Sequence, residues 1–328
     1  MVAMTVEGKR DIVALLRPDH WFKNVFAIPG AIAAIALFRD DFDAAALLWR
    51  VPVGAFALCL TASANYVLNA ILDASPDAHH PTKRDRALPA GRVSPRLAWS
   101  LYAITTAAGL ASGLLLGPRF AASLLALWLM GLVYNVPPVR SKDVAYLDVL
   151  TESANNPIRL LAGWWIVLPT GPIPPGSLIL AYWMGGGFLM ALKRFGELRF
   201  IGDHAAAARY RNSFAHYDER TLLASVLFYA CMASAFLATF CVRYRLELLL
   251  SLPFAVLSMA LYFTTAFRDD SPVQRPEHLW REPLLVGSAA VFVVVFTLLL
   301  FVDLPFLDDW MSPSAPNITG VVRMLTRI

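Results

Sequence analysis

The chain has 328 residues, of which 58% are hydrophobic and 16% are charged, and its mean hydropathy is +0.56 with a formal net charge of +4. A water-soluble domain carries nearer a quarter charged residues, so the composition excludes an ordinary soluble protein. The apolar residues form long runs rather than alternating segments of about ten residues, which excludes an outer-membrane barrel.

The apolar runs predict about nine membrane-spanning helices, because a helix crosses a bilayer in roughly 17–25 residues. In chain order, the predicted spans are residues 25–38, 47–72, 97–116, 120–138, 144–168, 177–194, 221–242, 246–267 and 283–302. We therefore expect one all-α, polytopic membrane domain over residues 1–328. Its helices are expected to surround a central cavity that opens to the cytoplasmic side.

The basic residues predict the orientation of these spans. Most of the 28 lysines and arginines precede the first span or follow the second, fourth, sixth and eighth spans. Positively charged loops stay in the cytoplasm, so residues 1–23 are expected inside and residues 303–328 outside a bacterial inner membrane. The pI near 9.0 is explained by this excess and by anionic membrane lipids, without a nucleic-acid partner. The sequence does not indicate whether the chain has a protein partner.

The second predicted span ends in a ladder of polar residues. Asn65, Asn69, Asp73 and Asp77 recur at every fourth position, which places them on one helix face. Solvated carboxylates at a fraying helix end would explain the two aspartates but not the asparagines, which lie deeper in the apolar run. Oxygen ligands on one face suit Mg²⁺ bound jointly with a substrate diphosphate. We expect Asn69, Asp73 and Asp77 of this ladder to hold a metal ion near the cytoplasmic face.

The fifth predicted span carries a second polar face, formed by Asp148, Glu152, Asn155 and Arg159. One interpretation is a salt-bridge network in which these charges neutralise one another. The other is functional, because ionisable groups inside a membrane span are costly unless they are used. In that interpretation Asp148, with Glu152 or Asp143, holds a second metal ion or the hydroxyl groups of a donor.

Cationic side chains surround both polar faces at the predicted cytoplasmic span ends. Each one alone would fit anchoring at the membrane surface, but as a set they fit a polyphosphate, whose anionic oxygens Arg and Lys neutralise. The candidate cations are Lys23, Lys83, Arg84, Arg140, Lys142, Lys193 and Arg194. His79 and His80 lie in the same loop as Lys83 and are expected to be solvated rather than catalytic.

These segments resemble the UbiA-type intramembrane prenyltransferase superfamily. "NAILDASPD" (Asn69–Asp77) is similar to its first signature, Asn-Asp-x-x-Asp-x-x-x-Asp, with Ala70 in place of the first Asp. "YNVPPVRSKD" (Tyr134–Asp143) is similar to members that alkylate aromatic or chlorin acceptors. Further segments resemble the decaprenyl-phosphate phosphoribosyltransferase branch. They are "LRPDHWFKN" (Leu16–Asn24), "YVLNAILDASPDAHHPTKR" (Tyr66–Arg84), "LDVL" (Leu147–Leu150) and "ALKRFGEL" (Ala191–Leu198).

The resemblance implies a Mg²⁺-dependent transferase with a diphosphate-containing donor and a lipid acceptor. It implies catalytic roles for Asp73, Asp77 and Asp148, and Mg²⁺ ligands among Asn69, Asp73, Asp77, Asp148 and Glu152. The implied substrate-binding residues are Lys23, Asn65, Lys83, Arg84, Tyr134, Arg140, Lys142, Asp143, Asn155, Arg159, Lys193, Arg194 and Glu197.

Three reactions remain open at this point. The favoured one moves a phosphoribosyl group from 5-phosphoribosyl 1-diphosphate to a polyprenyl phosphate, with release of diphosphate. The second moves a prenyl group from a prenyl diphosphate to an aromatic or other lipid-soluble acceptor. The third is transport, which would also place charges within membrane spans.

Overall fold

The computed structural model describes residues 6–78, 84–268, 271, 273 and 280–307. Within these ranges all regular secondary structure is helical. The α-helices are α1 (Val6–Leu16), α2 (Ile28–Leu37), α3 (Ala44–Ala78), α4 (Pro95–Leu114), α5 (Pro118–Asn135), α6 (Leu147–Ser153), α7 (Asn155–Val167), α8 (Gly176–Ile201), α9 (His204–Tyr210), α10 (Glu219–Tyr244), α11 (Leu252–Thr265) and α12 (Pro283–Leu299). Short 3-10 segments occupy Pro18–Ala27, Ser141–Asp143, Asn212–His216 and Leu246–Ser251.

The prediction of an all-helical chain with apolar, membrane-length helices is confirmed. Five helical segments of the described chain are long and apolar enough to cross a membrane: Arg10–Leu37, Ala44–Ser75, Pro95–Leu114, Glu219–Tyr244 and Leu246–Thr265. The apolar α12 is shorter. The count of nine spans and the direction in which a cavity opens stay predictions.

Prolines divide three of the predicted spans. Pro29, Pro157 and Pro253 each lie in the first turn of the helix that follows a break. Proline has no N–H to donate, so it cannot continue the hydrogen-bond ladder of a preceding helix. The predicted span 144–168 is therefore two helices, α6 and α7, which meet at Ala154.

Successive long helices run in alternating directions, so their connections gather at two ends of the bundle. We call the end that holds the connections after α3, α5, α8 and α11 the site end. At the opposite end Arg50 fastens α3 to the end of α4 and to α7. Its guanidinium donates to the carbonyl oxygen of Leu116 at 2.9 Å and to that of Ile166 at 2.7 Å. Arg39 similarly donates to the carbonyl of Leu300 after α12, at 3.2 Å.

Glycines allow α2 and the segment before it to contact α7 backbone to backbone. A Cβ at Gly163 would overlap the carbonyl oxygen of Ala27, and one at Gly30 would overlap that of Leu160. This close approach brings Arg159 on α7 within reach of Asn24, whose side-chain oxygen accepts a hydrogen bond from Arg159 Nε at 3.1 Å. The contact therefore places the Pro18–Ala27 segment at the site end.

We expect Gly163→Ala to destabilise the protein by at least about 2 kcal/mol, because the new methyl group meets backbone that cannot rotate away. Gly185→Ala is the matched control, since a Cβ there has no atom within 4 Å. Alanine favours a helix by up to about 1 kcal/mol over glycine, so the control should keep or raise the melting temperature. Thermal unfolding in detergent measures both variants. Equal melting temperatures would contradict the proposed backbone contact.

Candidate active site

The candidate site lies at the site end, where α3, α5 and α8 end and α6 begins. Its charged side chains form three groups. The Lys142 group contains Asn69, Asp73, Asn135 and Lys142. The Arg194 group contains Tyr134, Asp148, Arg194, Glu197, Arg211, Ser213 and Tyr217. The Lys193 group contains Lys23, Glu152, Arg159 and Lys193.

In the Lys142 group, four oxygen atoms surround one ammonium nitrogen. Lys142 Nζ lies 2.7 Å and 2.9 Å from the two carboxylate oxygens of Asp73. It also lies 3.0 Å from Oδ1 of Asn135 and 3.2 Å from Oδ1 of Asn69. Lys142 is only 7% exposed, and burial lowers its pKa below the ordinary value, an effect that the hydrogen bond to Asp73 opposes. The set forms an oxygen-lined cation site with a lysine inside it.

The other carboxylates near this group also have cationic partners. Arg140 donates to Asp73 Oδ1 at 3.1 Å and to Asp143 Oδ2 at 2.8 Å. Asp77, one turn beyond Asp73 on α3, accepts a hydrogen bond from Arg86 at 2.9 Å. The predicted ladder thus keeps its order along α3, and Asp73 is its member closest to the candidate phosphate-binding cations Arg140 and Lys142.

Asp148 lies at the centre of the Arg194 group and is fully buried. Its Oδ2 accepts from Arg194 Nε at 2.8 Å and from the Ser213 hydroxyl at 3.3 Å, and its Oδ1 accepts from the Tyr217 hydroxyl at 2.7 Å. Burial and the neighbouring Asp148 carboxylate raise the pKa of Tyr217, so its phenol stays protonated and donates. Asp148 therefore fastens α6 to α8 and to the segment before α10.

The remaining members of the Arg194 group complete the pairing of charges. Arg194 donates to Glu197 at 2.9 Å and to the Tyr134 hydroxyl at 3.3 Å. Arg211 donates to the same hydroxyl at 3.3 Å and lies 3.7 Å from Asp148. Buried charges are stable only when they are paired and hydrogen-bonded, and this group pairs two guanidinium groups with two carboxylates.

The Lys193 group differs because its lysines lack such partners. Lys23 and Lys193 are partly buried, and neither ammonium makes a hydrogen bond or an ion pair with the part of the chain that the structure describes. Lys23 Nζ lies 5.9 Å from the centre of the Tyr66 ring. The charges of Lys23, Lys193 and Glu152 are close enough to interact. With the buried Arg159, the group contains three cations and one carboxylate, and Glu197 of the Arg194 group is close enough to Lys193 to offset part of this excess positive charge.

Two asparagines leave buried acceptors beside these groups. Oδ1 of Asn65 and Oδ1 of Asn155 have no hydrogen-bond partner among the described residues. Their amide nitrogens are engaged, since Asn65 donates to the Leu127 carbonyl at 2.8 Å and Asn155 donates to the Glu152 carbonyl at 3.1 Å. A buried polar atom without a partner is costly, so Oδ1 of Asn155 is a candidate to accept from a ligand, whereas Oδ1 of Asn65 packs against Gly131 on α5.

The polar face predicted for the fifth span is divided between two groups. Asp148 belongs to the Arg194 group, whereas Glu152 and Arg159 belong to the Lys193 group. The salt-bridge interpretation also named the wrong partner, because Asp148 pairs with Arg194 on α8 and Arg159 donates to Asn24. The helix break before Pro157 explains part of this result, since it interrupts the common face.

Sequence reasoning missed Asn135, Ser213, Arg211 and Tyr217. The last three lie in the segment "RNSFAHY", a polar stretch without helical period, where only the density of polar and aromatic residues gave a signal. Lys83, His79 and His80 lie outside the described residues. Arg84, the first described residue after them, is exposed.

Comparison with known proteins agrees with the first signature. Residues 26–280, most of the chain, match the family model of the UbiA prenyltransferase family. The chain belongs to the UbiA family. The predicted family and its class, a family of transferases, are therefore confirmed, and membership of the UbiA family favours a transferase over a transporter.

Relatives within the UbiA family carry different names. Decaprenyl-phosphate phosphoribosyltransferase of Mycobacterium tuberculosis is 30% identical over 198 residues, which are 60% of this chain and 63% of the relative. The enzyme of that name from Mycolicibacterium smegmatis is 29% identical over 211 residues, 64% of each chain. The bacteriochlorophyll synthase 34 kDa chain of Chloroflexus aurantiacus is 28% identical over 191 residues, 57% of this chain and 59% of the relative. The matches thus span less than two thirds of these relatives.

The UbiA fold is also found among solved structures. A UbiA homolog from Archaeoglobus fulgidus, bound to GPP and Mg²⁺, superposes with a TM-score of 0.67 at 17% sequence identity. The superposition covers 89% of this chain and 99% of the homolog. At this identity the likeness concerns the fold.

The UbiA signature implies a divalent metal, and the Lys142 group fits one. Mg²⁺ prefers oxygen ligands and is commonly held by one or two carboxylates, with phosphates and water completing its shell. Asn69 and Asp73 supply such oxygens, and the ammonium of Lys142 shows that the position accepts a cation. No three Asp, Glu, His or Cys side chains gather as a metal site within the described ranges. The described residues therefore supply only part of a coordination shell.

Proposed function

We propose that the protein transfers a phosphoribosyl group from 5-phosphoribosyl 1-diphosphate to a polyprenyl phosphate and releases diphosphate. The observation that carries this proposal is the pair of partly buried lysines, Lys23 and Lys193, whose ammonium groups have no partner in the described chain. A prenyl diphosphate carries no phosphate group besides its diphosphate, so it has none left for these two lysines. The phosphoribosyl reaction brings two further phosphates, the 5-phosphate of the donor and the phosphate of the acceptor.

The diphosphate of the donor is assigned to the Lys142 group. Arg140 and Lys142 bind its oxygens through charge-assisted hydrogen bonds, and Asn69, Asp73 and Asp77 are the residues that would hold Mg²⁺. When bound, Mg²⁺ would neutralise the charge that builds up on the departing diphosphate. Arg84 and Lys83 belong to the loop after α3, and we propose that they add positive charge at the same place.

The two remaining phosphates are assigned to the Lys193 group. Lys193 binds the 5-phosphate of the donor, since it lies on α8 next to the buried Arg194 group. Lys23, together with Arg159, binds the acceptor phosphate, because its neighbours Phe22 and Val25 are 48% and 52% exposed and so border the lipid. The polyprenyl chain can then remain in the membrane while its phosphate enters the site.

The chemical step needs no general base. An oxygen of the acceptor phosphate, which is already anionic, forms a bond to C1 of the ribose. The bond from C1 to the diphosphate oxygen breaks, and the diphosphate leaves with the electron pair. Glu152 and the free oxygen of Asn155 accept hydrogen bonds from the ribose hydroxyls and so orient C1.

Asp148, Arg194, Glu197 and Tyr134 act as positioning residues in this proposal. These side chains pair with one another. They therefore hold α6 and α8 in place and turn Lys193 toward the site. This differs from the sequence-based expectation, which gave Asp148 to a metal ion and Arg194 to a phosphate. Asp143 likewise orients Arg140 rather than binding substrate.

The names of the mycobacterial relatives support phosphoribosyl transfer. A second candidate, transfer of a prenyl group, is favoured by the segment Tyr134–Asp143 and by the likeness to a bacteriochlorophyll synthase chain. Both reactions use the same diphosphate end of the site. They differ in whether the Lys193 group receives a phosphate.

One experiment separates the two reactions. Purified protein in detergent is incubated with Mg²⁺, a polyprenyl phosphate and ribose-labelled 5-phosphoribosyl 1-diphosphate, and lipids are then extracted. We expect label in the lipid fraction, and none after chelation of the metal. A parallel incubation contains a labelled prenyl diphosphate and a phenolic acceptor. Product in this second incubation alone would overturn the phosphoribosyl assignment.

We further propose that the site end faces the cytoplasm, as the distribution of basic residues predicts. Thr170 and Ala205 are exposed positions on either side of α8, whose 26 residues extend about 39 Å. Single cysteines are introduced there after replacement of Cys59, Cys231 and Cys241. In inner-membrane vesicles of known orientation, a membrane-impermeant thiol reagent should label Ala205→Cys only from the cytoplasmic side and Thr170→Cys only from the other. The reverse pattern would overturn the orientation.

A further inference from the structure

We infer that Lys142 is the resident cation of the metal site, and that a divalent metal binds to Asp73 only when Lys142 has left it. The inference rests on the metal-dependent reaction proposed above. It adds a competition between a side chain and a metal ion for the same oxygens. Lys142 then sets the metal affinity of the site in the absence of donor.

The geometry of the Lys142 group carries this inference. Both oxygens of Asp73 lie within 2.9 Å of Lys142 Nζ, so no oxygen of this carboxylate faces away from the ammonium. The same nitrogen takes up the side-chain oxygens of Asn69 and Asn135. Asn69 and Asp73 are also the residues whose oxygens suit a metal. The lysine ammonium thus binds the same oxygen atoms that would coordinate the metal.

Charge and distance forbid joint occupation. A magnesium ion binds a carboxylate oxygen at about 2.0–2.1 Å, so it would lie within a few ångströms of an ammonium that contacts both oxygens of the same carboxylate. Lys142 is 7% exposed, and water screens such a buried repulsion weakly. One of the two cations must therefore move away.

Arg140 offers a matched comparison. It carries the same charge and also contacts Asp73, but through one oxygen at 3.1 Å, and its other hydrogen bond to a carboxylate is to Asp143. Its side chain is 26% exposed, against 8% for that of Lys142. Removal of Arg140 changes the net charge equally but leaves the four-oxygen site filled.

The test measures metal binding to the full-length protein without any donor. Mn²⁺ serves as the probe, and the loss of the electron paramagnetic resonance signal of free Mn²⁺ reports binding. Lys142→Gln should lower the dissociation constant for Mn²⁺ about tenfold or more, because a charge-assisted competitor is gone. Arg140→Gln should change it less than about threefold, since its contact is partly exposed. Lys142→Arg, which keeps the positive charge, should not bind more tightly than wild type.

A second measurement uses the wild-type protein and does not depend on the folding of a variant. Saturating Mn²⁺ should accelerate the modification of Lys142 by an amine-reactive reagent about threefold or more, because the displaced ammonium becomes accessible. Mass spectrometry of peptides quantifies the rate, with Lys193 as the internal reference. An unchanged rate would overturn the inference.

The outcomes distinguish this inference from the function on which it rests. If Lys142→Gln and Arg140→Gln bind Mn²⁺ equally tightly, the competition is wrong, whereas the metal-dependent transferase stands. If neither the wild type nor any variant binds Mn²⁺, both the competition and the metal ligands proposed for the reaction are wrong.

Discussion

Asp73→Asn is expected to lower the rate of phosphoribosyl transfer roughly 100-fold or more while leaving the protein folded. The substitution keeps the volume of the side chain but removes the charge that both Lys142 and a metal ion use. Asn69 and Asn135 still accept hydrogen bonds from Lys142, so the local structure is retained. Transfer of label to the lipid fraction measures the rate, and size-exclusion chromatography in detergent reports folding. Asp77→Asn should act in the same direction.

Asp11→Asn is the matched control for Asp73→Asn. Asp11 also lies toward the site end and pairs with an arginine, Arg92, at 3.0 Å, but it belongs to none of the three groups. Loss of this surface ion pair should alter the rate less than about twofold. A near-normal rate of transfer by Asp73→Asn would show that Asp73 has no essential role in the reaction.

Lys193→Gln is expected to weaken donor binding and Arg194→Gln to destabilise the fold, although the two residues are adjacent. Lys193→Gln should raise the KM for 5-phosphoribosyl 1-diphosphate about tenfold or more, since it deletes a charge-assisted bond to a phosphate. The KM for polyprenyl phosphate should change less. The melting temperature should stay unchanged, because Lys193 makes no hydrogen bond within the described chain.

Arg194→Gln should instead destabilise the protein by about 3–5 kcal/mol, because Asp148 and Glu197 would lose their shared partner in a buried site. Arg199→Gln on the same helix is the control. Its ion pair with Glu219 is exposed and 3.4 Å long, so both KM and melting temperature should stay close to wild type. If Lys193→Gln lowers the melting temperature as much as Arg194→Gln, the assignment of Lys193 to substrate binding and Arg194 to positioning is wrong.

Features that depend on local spacing were predictable from the sequence. The long apolar runs predicted the helices, and the four-residue step of Asn69, Asp73 and Asp77 predicted one polar face, which α3 presents as a continuous helix. Of the candidate cations, Lys23, Arg140, Lys142, Lys193 and Arg194 lie at the site end, and Lys83 lies outside the described residues. These features follow from the period of a helix and from the cost of charge in a membrane, which a sequence records directly.

Features that depend on pairing between distant segments were not predictable. Asp148 and Arg194 are 46 residues apart, and Tyr217 reaches Asp148 from 69 residues away. Each of these residues has many possible partners in a sequence, and only the packing of α6 against α8 selects one. The same holds for Lys142, because its position at a span end indicates membrane anchoring or phosphate binding but not enclosure by Asp73 and two asparagines.

The adjacency of Lys193 and Arg194 bears on how new specificities arise in this fold. Neighbouring residues on a helix point about 100° apart, so Lys193 and Arg194 lie in different environments. Under the proposed function, mutations at position 193 should alter which anion is accepted without loss of stability, whereas position 194 is constrained by Asp148 and Glu197. Donor specificity could therefore change through position 193 while position 194 keeps the helices packed. An enzyme engineer who wishes to change the donor should vary Lys193 and keep Arg194 fixed.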